Sequence, residues 1–212
     1  MTRDSTNGIT ALVLAGGRGR RMGGRDKGLV ELRGRPLVAH VVEAIAPQVE
    51  KVLINANRNR DRYAAFGWPV VSDALTDYQG PLAGFAVGMA ASHTPLLLTL
   101  PCDGPMVAPD LAARLAVALE GSGADIAVAH DGTRMQPVYA LIRCALLPSL
   151  EAFLAAGDRK IDLWYERHHT VSADFSHFPE QFTNVNTPEE RARLEGAAPD
   201  GATIPGAGHG AD

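Results

Sequence analysis

The chain has 212 residues, of which 46% are hydrophobic, 21% charged and 6% aromatic, with a formal net charge of −4. This composition is typical of a globular domain, and the charge excludes a protein that is basic throughout and binds nucleic acid electrostatically. No apolar run approaches the roughly 18 residues of a membrane-spanning helix. We therefore predict neither a nucleic-acid partner nor a membrane partner.

The predicted elements alternate between apolar strands and helices. Short apolar runs bounded by glycine, proline or polar residues predict strands at 9–14, 51–54, 70–71, 96–100, 126–129 and 138–142. Apolar or small residues at helical spacing predict helices at 37–45, 82–92, 109–120 and 146–155. The capping box Thr187-Pro-Glu-Glu190 predicts a last helix. This alternation predicts an α/β fold, a single doubly wound, Rossmann-like domain on a mostly parallel, mixed sheet.

The predicted domain covers residues 9–195. Residues 1–8 are polar and are expected to form a flexible N-terminus, whereas the Gly-, Ala- and Pro-rich residues 196–212 are expected to form a disordered tail. The pattern of residues 158–181 predicts no element. The two cysteines form no CxxC pair and the first residues contain no apolar secretory region, so we expect a reduced, cytoplasmic protein.

Chemically informative residues follow four of the predicted strands. Gly16 and Gly17 follow the first strand, Asn55 the second, Asp73 the third and Asp103 the fourth. In open α/β sheets, ligands bind beyond the carboxyl ends of the parallel strands. The sequence therefore predicts one site that combines glycine amides, an asparagine and two carboxylates with the cations of the first loop.

That first loop matches neither of two common phosphate-binding motifs. It lacks the last glycine of GxGxxG and the Ser or Thr that follows lysine in the Walker A sequence. Its glycines still expose backbone amides, and its cluster of cations in an acidic protein predicts a compact anionic ligand. Arg21 and Lys27 are the side chains expected to neutralise a triphosphate and a leaving pyrophosphate.

Asp103 is the candidate metal ligand. It lies directly after an apolar strand and before a Gly-Pro turn. Mg²⁺ binds one or two carboxylates together with phosphate oxygens, and Mn²⁺ is the alternative metal. An aspartate that only initiates the turn is the other interpretation. Asn184 and Asn186 fall on one face of a predicted strand, which suits either a shared ligand or the capping of backbone groups.

Six ordered segments resemble the molybdenum cofactor guanylyltransferases, a branch of the nucleotidyltransferases that activate sugars and alcohols with nucleoside triphosphates. The segments are Leu14-Ala-Gly-Gly-Arg-Gly-Arg-Arg-Met22, Arg21-Met-Gly-Gly-Arg-Asp-Lys-Gly28, Asn55-Ala-Asn-Arg58, Asp77-Tyr-Gln-Gly-Pro-Leu-Ala-Gly84, Pro101-Cys-Asp103 and Asn184-Val-Asn-Thr-Pro-Glu-Glu190. The resemblance implies a nucleotidyltransferase fold. It also implies transfer of GMP from GTP to the terminal phosphate of molybdenum-molybdopterin, with release of pyrophosphate.

The resemblance also implies which residues contact each substrate. The predicted GTP contacts are the backbone of Leu14, Ala15 and Gly16, to which the loop glycine Gly17 is added, and the side chains of Lys27, Asn55, Asp73 and Asp103. Asp103 would also bind Mg²⁺, and Arg21, Lys27 and Asp103 are the predicted catalytic residues. The residues do not show whether Asn55 or Asp73 contacts the guanine or the ribose.

The predicted molybdopterin contacts are Asn184, Asn186, Arg159 and Lys160. Relatives often have a second arginine where this chain has Lys160, and a lysine cannot make the bidentate phosphate contact of an arginine. Because an unstable cofactor must be passed on, transient docking with cofactor-insertion proteins or molybdoenzymes is a further expectation.

Two alternatives stay open. One is a cytidylyltransferase of the same cofactor or a sugar-phosphate nucleotidyltransferase, although Gly16 favours guanylyl transfer because the cytidylyl branch typically has alanine there. The other is a non-catalytic adaptor that binds GTP. The presence of Arg21, Lys27 and Asp103 together argues against an adaptor.

Overall fold

The computed structural model describes residues 8–15, 26–73 and 80–196. The strands in these ranges are β1 (Ile9–Leu14), β2 (Glu31–Leu32), β3 (Arg35–Pro36), β4 (Lys51–Asn55), β5 (Val70–Val71), β6 (Leu96–Pro101), β7 (Ile126–His130), β8 (Met135–Arg143) and β9 (Thr170–Asp174). The α-helices are α1 (Leu37–Ile45), α2 (Arg60–Ala64), α3 (Pro81–Ala91), α4 (Leu111–Ser122), α5 (Leu147–Ala155), α6 (Ile161–Tyr165) and α7 (Pro188–Gly196).

Seven strands form one sheet in the order β5-β4-β1-β6-β8-β7-β9, and β2 pairs with β3 in a separate antiparallel hairpin. In the large sheet, β8 runs antiparallel to both of its neighbours, and the other pairings are parallel. This arrangement confirms the predicted α/β fold with a mostly parallel, mixed sheet. It also places the carboxyl ends of β1, β4, β5 and β6 at one edge.

Helices cover both faces of the sheet, as the wholly apolar strands require. On one face, Ala11 and Val13 of β1 pack in a cluster with residues of α1 and α4. On the other face, Leu12 packs in a second cluster with residues of α3, α5 and α6. Successive residues of a strand point to opposite faces, so β1 contributes to both clusters.

Two glycines bring α3 close to β1. A Cβ atom built at Gly84 would lie 2.6 Å from Leu14 Cδ2, and one built at Gly88 would lie 2.6 Å from Leu12 Cδ2. Added methyl groups in such a tightly packed place typically cost about 1–3 kcal/mol of stability. The predicted small-residue helix is therefore confirmed, and its glycines explain the close approach to the strand that leads into the site.

The segment 158–181, for which the sequence predicted no element, contains α6 and β9. Strand β9 lies at the end of the sheet beside β7, and of its five residues Ala173 is the fully buried one. A strand that buries so little shows no clear alternation, which explains why the pattern was not recognised. The expected flexible N-terminus and disordered tail lie outside the described residues, apart from Gly8 and Gly196. No helix among the described residues is long and apolar enough to span a membrane.

Candidate active site

Parallel pairing brings the predicted strand-end residues to the same edge of the sheet. Leu14, the last residue of β1, lies in register between Asn55 on β4 and Pro101 on β6. The amide of Ala15 donates to the carbonyl of Asn55 at 2.8 Å. This amide is thus already hydrogen-bonded within the sheet, and a ligand contact at Ala15 would use its carbonyl oxygen.

The first polar cluster at this edge joins three distant parts of the chain, and we call it the lysine cluster. Lys27 Nζ donates to Asp103 Oδ2 at 2.9 Å and to Asn186 Oδ1 at 2.5 Å. The Lys27 side chain is 27% exposed and the Asp103 side chain 11%, so the ion pair is only partly screened by solvent. A positive and a negative side chain are thereby held together at the rim of the sheet.

The backbone around Asp103 explains how Asn186 reaches this cluster. The amide of Val185 donates to the carbonyl of Asp103 at 2.8 Å, which places the segment 184–186 alongside it. Beyond that segment, Glu190 Oε2 accepts from the amides of Asn186 at 2.6 Å and Thr187 at 3.0 Å. The predicted capping box is thus present, and it fixes Asn186 in place at the start of α7.

Asn184 and Asn186 were expected on one face of a strand, but the structure forms no strand there. Asn186 contacts Lys27, whereas Asn184 turns its buried Oδ1 toward Gly104, where it would lie 3.3 Å from an added Cβ. Among residues 8–15, 26–73 and 80–196, Asn184 Oδ1 finds no hydrogen-bond partner. The two asparagines therefore flank the same Asp103–Gly104 segment.

The second polar cluster lies at the same edge of the sheet, at the ends of β4 and β5, and we call it the Asp73 clasp. Asn55 Nδ2 donates to Asp73 Oδ1 at 2.8 Å, and Asn57 Nδ2 donates to Asp73 Oδ2 at 2.6 Å. Asn57 Oδ1 also accepts from the Asp73 amide at 2.8 Å. Asn57 was part of the motif that suggested the site but was not predicted to act in it. Its spacing of two residues from Asn55 was the available signal.

Two further predicted residues, Arg159 and Lys160, lie between α5 and α6. Arg159 Nη1 donates to the carbonyl of Leu154 at 2.7 Å, so it satisfies an oxygen at the end of α5. Lys160 is exposed and immediately precedes α6. A Cβ built at Gly80 would lie 3.8 Å from the Arg159 carbonyl oxygen, so this segment lies beside the start of α3. The predicted residues Gly16, Gly17 and Arg21 lie outside the described part of the chain.

Burial keeps the thiol and phenol groups around the site neutral. Burial raises the pKa of the Cys102 thiol well above its ordinary value, and the adjacent Asp103 raises it further. Burial likewise raises the pKa of the Tyr139 hydroxyl, whose oxygen lies close to Gly104. Cys102 is therefore a small buried side chain that packs beside the site.

The donor atoms at this edge suit one kind of metal ion. Among the described residues, no group of three or more His, Cys, Asp or Glu side chains could hold a metal ion alone. Asp103 offers one carboxylate, directly after the end of β6. This set fits Mg²⁺, which commonly binds one or two carboxylates and takes its other ligands from phosphate and water.

Comparison with known proteins identifies the family. The profile described as "MobA-like NTP transferase domain" matches residues 11–171. The chain belongs to this family. It is 52% identical over 186 residues to the "Molybdenum cofactor guanylyltransferase" of Shewanella halifaxensis. This match covers 88% of the chain and 93% of that protein. It is also 52% identical over 189 residues to the protein of the same name from Shewanella loihica, covering 89% and 96%.

Solved structures of nucleotidyltransferases have the fold described above. The structure titled "Molybdopterin-guanine dinucleotide biosynthesis protein A", from Archaeoglobus fulgidus, superposes with a TM-score of 0.72 at 24% identity and covers 88% of this chain and 96% of that one. A nucleotidyl transferase from Methanothermobacter thermautotrophicus superposes with a TM-score of 0.68 at 21% identity, covering 89% and 96%. These comparisons confirm the family recognised in the sequence and its nucleotidyltransferase fold. The chain is an enzyme of the nucleotidyltransferase class.

Proposed function

We propose that the chain transfers GMP from GTP to the terminal phosphate of molybdenum-molybdopterin and releases pyrophosphate, in a reaction that depends on Mg²⁺. The observation that carries the proposal is the lysine cluster, in which Lys27, Asp103 and Asn186 meet at the carboxyl edge of the sheet. The Asp73 clasp lies at the same edge, at the ends of β4 and β5. The names of the relatives that are 52% identical supply the substrates.

The reaction is a phosphoryl-group substitution. An oxygen of the terminal phosphate of the cofactor forms a bond to the α-phosphorus of GTP, and the bond from that phosphorus to the β-phosphate oxygen breaks. A phosphate monoester is largely ionised near neutral pH because its second pKa is about 6. The attacking oxygen therefore needs no side-chain base, and the protein contributes mainly positioning and neutralisation of charge.

Lys27 and Asp103 would stabilise charge in this reaction in two different ways. The Lys27 ammonium would stabilise the negative charge that develops on the leaving pyrophosphate, a role that Arg21 is predicted to share. The Asp103 carboxylate would hold Mg²⁺ next to the phosphates, and this metal would supply positive charge to the phosphate oxygens. Asn186, itself a predicted molybdopterin contact, accepts a hydrogen bond from Lys27.

The Asp73 clasp suits the nucleoside part of GTP. Guanine presents two N–H donors on one edge and the ribose presents hydroxyl donors, and both need acceptor oxygens. Asn55 and Asn57 occupy one side of each Asp73 oxygen, so the remaining lone pairs of the carboxylate can accept from a ligand.

The test is the nucleotide and cofactor dependence of pyrophosphate release by the purified chain. We expect release from GTP that requires Mg²⁺ and molybdopterin and at least about a tenfold lower kcat/KM with CTP, a difference of about 1.4 kcal/mol. Equal or faster release from CTP would instead support the cytidylyltransferase. GTP binding without pyrophosphate release in the presence of both partners would support the adaptor. The cytoplasmic location and the docking with insertion proteins or molybdoenzymes stay predictions.

A further inference from the structure

The residue that precedes Lys27 is a buried carboxylate with its own set of partners. Asp26 is 8% exposed. The Tyr63 hydroxyl donates to Asp26 Oδ1 at 2.5 Å, Asn59 Nδ2 donates to Oδ2 at 3.1 Å, and Arg58 Nε lies 3.4 Å from Oδ2. A buried carboxylate is stable in a protein only when such partners compensate it. The backbone next to Lys27 is thereby tied to α2 and the residues before it.

The same tyrosine also contacts the residue that follows Lys27. A Cβ built at Gly28 would lie 2.6 Å from Tyr63 Oη and 3.2 Å from Cys102 Sγ. Tyr63 is fully buried, and Cys102 is the neighbour of Asp103 in the chain. The residues on both sides of Lys27 therefore pack on one hydroxyl group, and the thiol next to Asp103 packs against the same place.

The partners of Asp26 also matter for the charge of Lys27. A carboxylate one residue away is a competing partner for the lysine ammonium, since opposite charges attract strongly at short range in a partly buried site. In the structure, both Asp26 oxygens are instead engaged by Tyr63, Asn59 and Arg58. The Lys27 ammonium is thereby left to Asp103 and Asn186.

We propose that Tyr63 and Asp26 are positioning residues, which hold the backbone at Lys27 so that its ammonium group meets Asp103 and the phosphates of the substrate. This inference rests on the proposed function, in which Lys27 stabilises the leaving pyrophosphate. Because Tyr63 is fully buried, its effect on the reaction is expected to pass through Lys27. Its loss must therefore change the rate of the chemical step more than the binding of GTP.

The first experiment is the substitution Tyr63→Phe, which removes one oxygen and keeps the ring. We expect kcat for pyrophosphate release to fall about tenfold, with less than about a twofold change in the KM for GTP, because the interaction that is weakened, that of Lys27 with the leaving group, is made in the transition state. The matched control is Tyr165→Phe. Tyr165 is also buried and donates its hydroxyl to a carbonyl, that of Pro137 at 2.7 Å, but it packs in the core cluster on the other face of the sheet. This control should lower the melting temperature comparably and leave kcat within about twofold.

A double-mutant cycle then separates positioning of Lys27 from a general structural effect. In a Lys27→Ala background, Tyr63→Phe should change kcat by less than about twofold, because the group that Tyr63 positions is gone. Asp26→Asn, which keeps an oxygen for Tyr63, should retain more activity than Asp26→Ala. The proposal is overturned if Tyr63→Phe lowers kcat equally in both backgrounds. It is also overturned if Tyr63→Phe is fully active although Lys27→Ala is impaired.

Full activity of Lys27→Ala itself would overturn the role of Lys27 in the proposed function, and the positioning proposal with it.

Discussion

The lysine cluster and the Asp73 clasp lie at the same edge of one sheet, but they hold their carboxylates in different ways. Asp103 is paired with a charged ammonium, and Lys27 is 76 residues away in the chain from Asp103 and 159 from Asn186. Asp73 is held by neutral amides only 18 and 16 residues away, those of Asn55 and Asn57.

This difference indicates which part of a nucleotide each cluster suits. A cation and a carboxylate held side by side respond to the charge of their ligand, which suits phosphates and a divalent metal. A carboxylate that neutral amide donors hold in place keeps a fixed orientation, and no cation competes with its ligand. Such a carboxylate suits a neutral group with N–H or O–H donors. The lysine cluster should therefore govern the rate of the chemistry, and the Asp73 clasp should govern the affinity for the nucleoside.

The largest expected effect is that of Asp103→Asn, which keeps the shape of the side chain and removes its charge. We expect kcat/KM for GTP to fall about 1,000-fold, or about 4 kcal/mol, because both the metal ligand and the partner of Lys27 are lost. Pyrophosphate release at saturating Mg²⁺ measures this loss. The control is Asp110→Asn at the start of α4, an exposed carboxylate paired with Arg114 away from the site. A fall of less than tenfold for Asp103→Asn would contradict the division of roles between the two clusters.

The fold could be predicted because its strands are short apolar runs that end in polar or glycine residues. Asn55, Asp73 and Asp103 could be placed together for the same reason, since parallel strands align their carboxyl ends. The contact between Lys27 and Asn186 could not be predicted. This contact depends on the hydrogen bond from Val185 to Asp103 and on the cap of α7. Neither of these features is visible in the sequence as a link to Lys27.

The buried partners of the site residues were also beyond sequence reasoning. Tyr63 lies in α2, a helix of only five residues that the pattern did not predict, and nothing near it in the chain suggests a contact with Asp26. Strand β9 escaped prediction because three of its five residues are polar and its burial is slight. Asn57 differs from these, because it stands two residues beyond Asn55 after a buried strand and could have been included.

A smaller effect is expected for Asp73→Asn. Replacing one carboxylate oxygen by an amide places two donors face to face, so either Asn55 or Asn57 loses its hydrogen bond. The KM for GTP should rise about tenfold, or about 1.4 kcal/mol, with kcat within about twofold, as expected when binding is lost equally in ground state and transition state. Initial rates over a range of GTP concentrations give both constants.

A matched control for this change lies in the turn between β7 and β8. Both oxygens of Asp131 likewise accept hydrogen bonds. Oδ1 accepts from the amides of Thr133 and Arg134 at 2.7 and 2.8 Å, and Oδ2 accepts from Gln136 at 2.6 Å. These backbone hydrogen bonds lower the pKa of Asp131. Asp131→Asn breaks a comparable set of bonds outside the candidate site and should leave the KM for GTP unchanged. A larger effect on kcat than on KM in Asp73→Asn would instead assign Asp73 to the chemistry.

The smallest expected effect is that of Asn57→Ala, and it tests whether the orientation of Asp73 itself matters. Asn57 donates to Asp73 Oδ2 and accepts from the Asp73 amide, so its loss frees one oxygen while Asn55 still holds the other. We expect the KM for GTP to rise about threefold and the stability to fall by about 1 kcal/mol, measured by initial rates and by denaturant unfolding. Gln136→Ala removes the equivalent amide from Asp131 and should reproduce the loss of stability without the change in KM. If the two variants have the same KM for GTP, the clasp stabilises the fold and does not prepare Asp73 for the nucleoside.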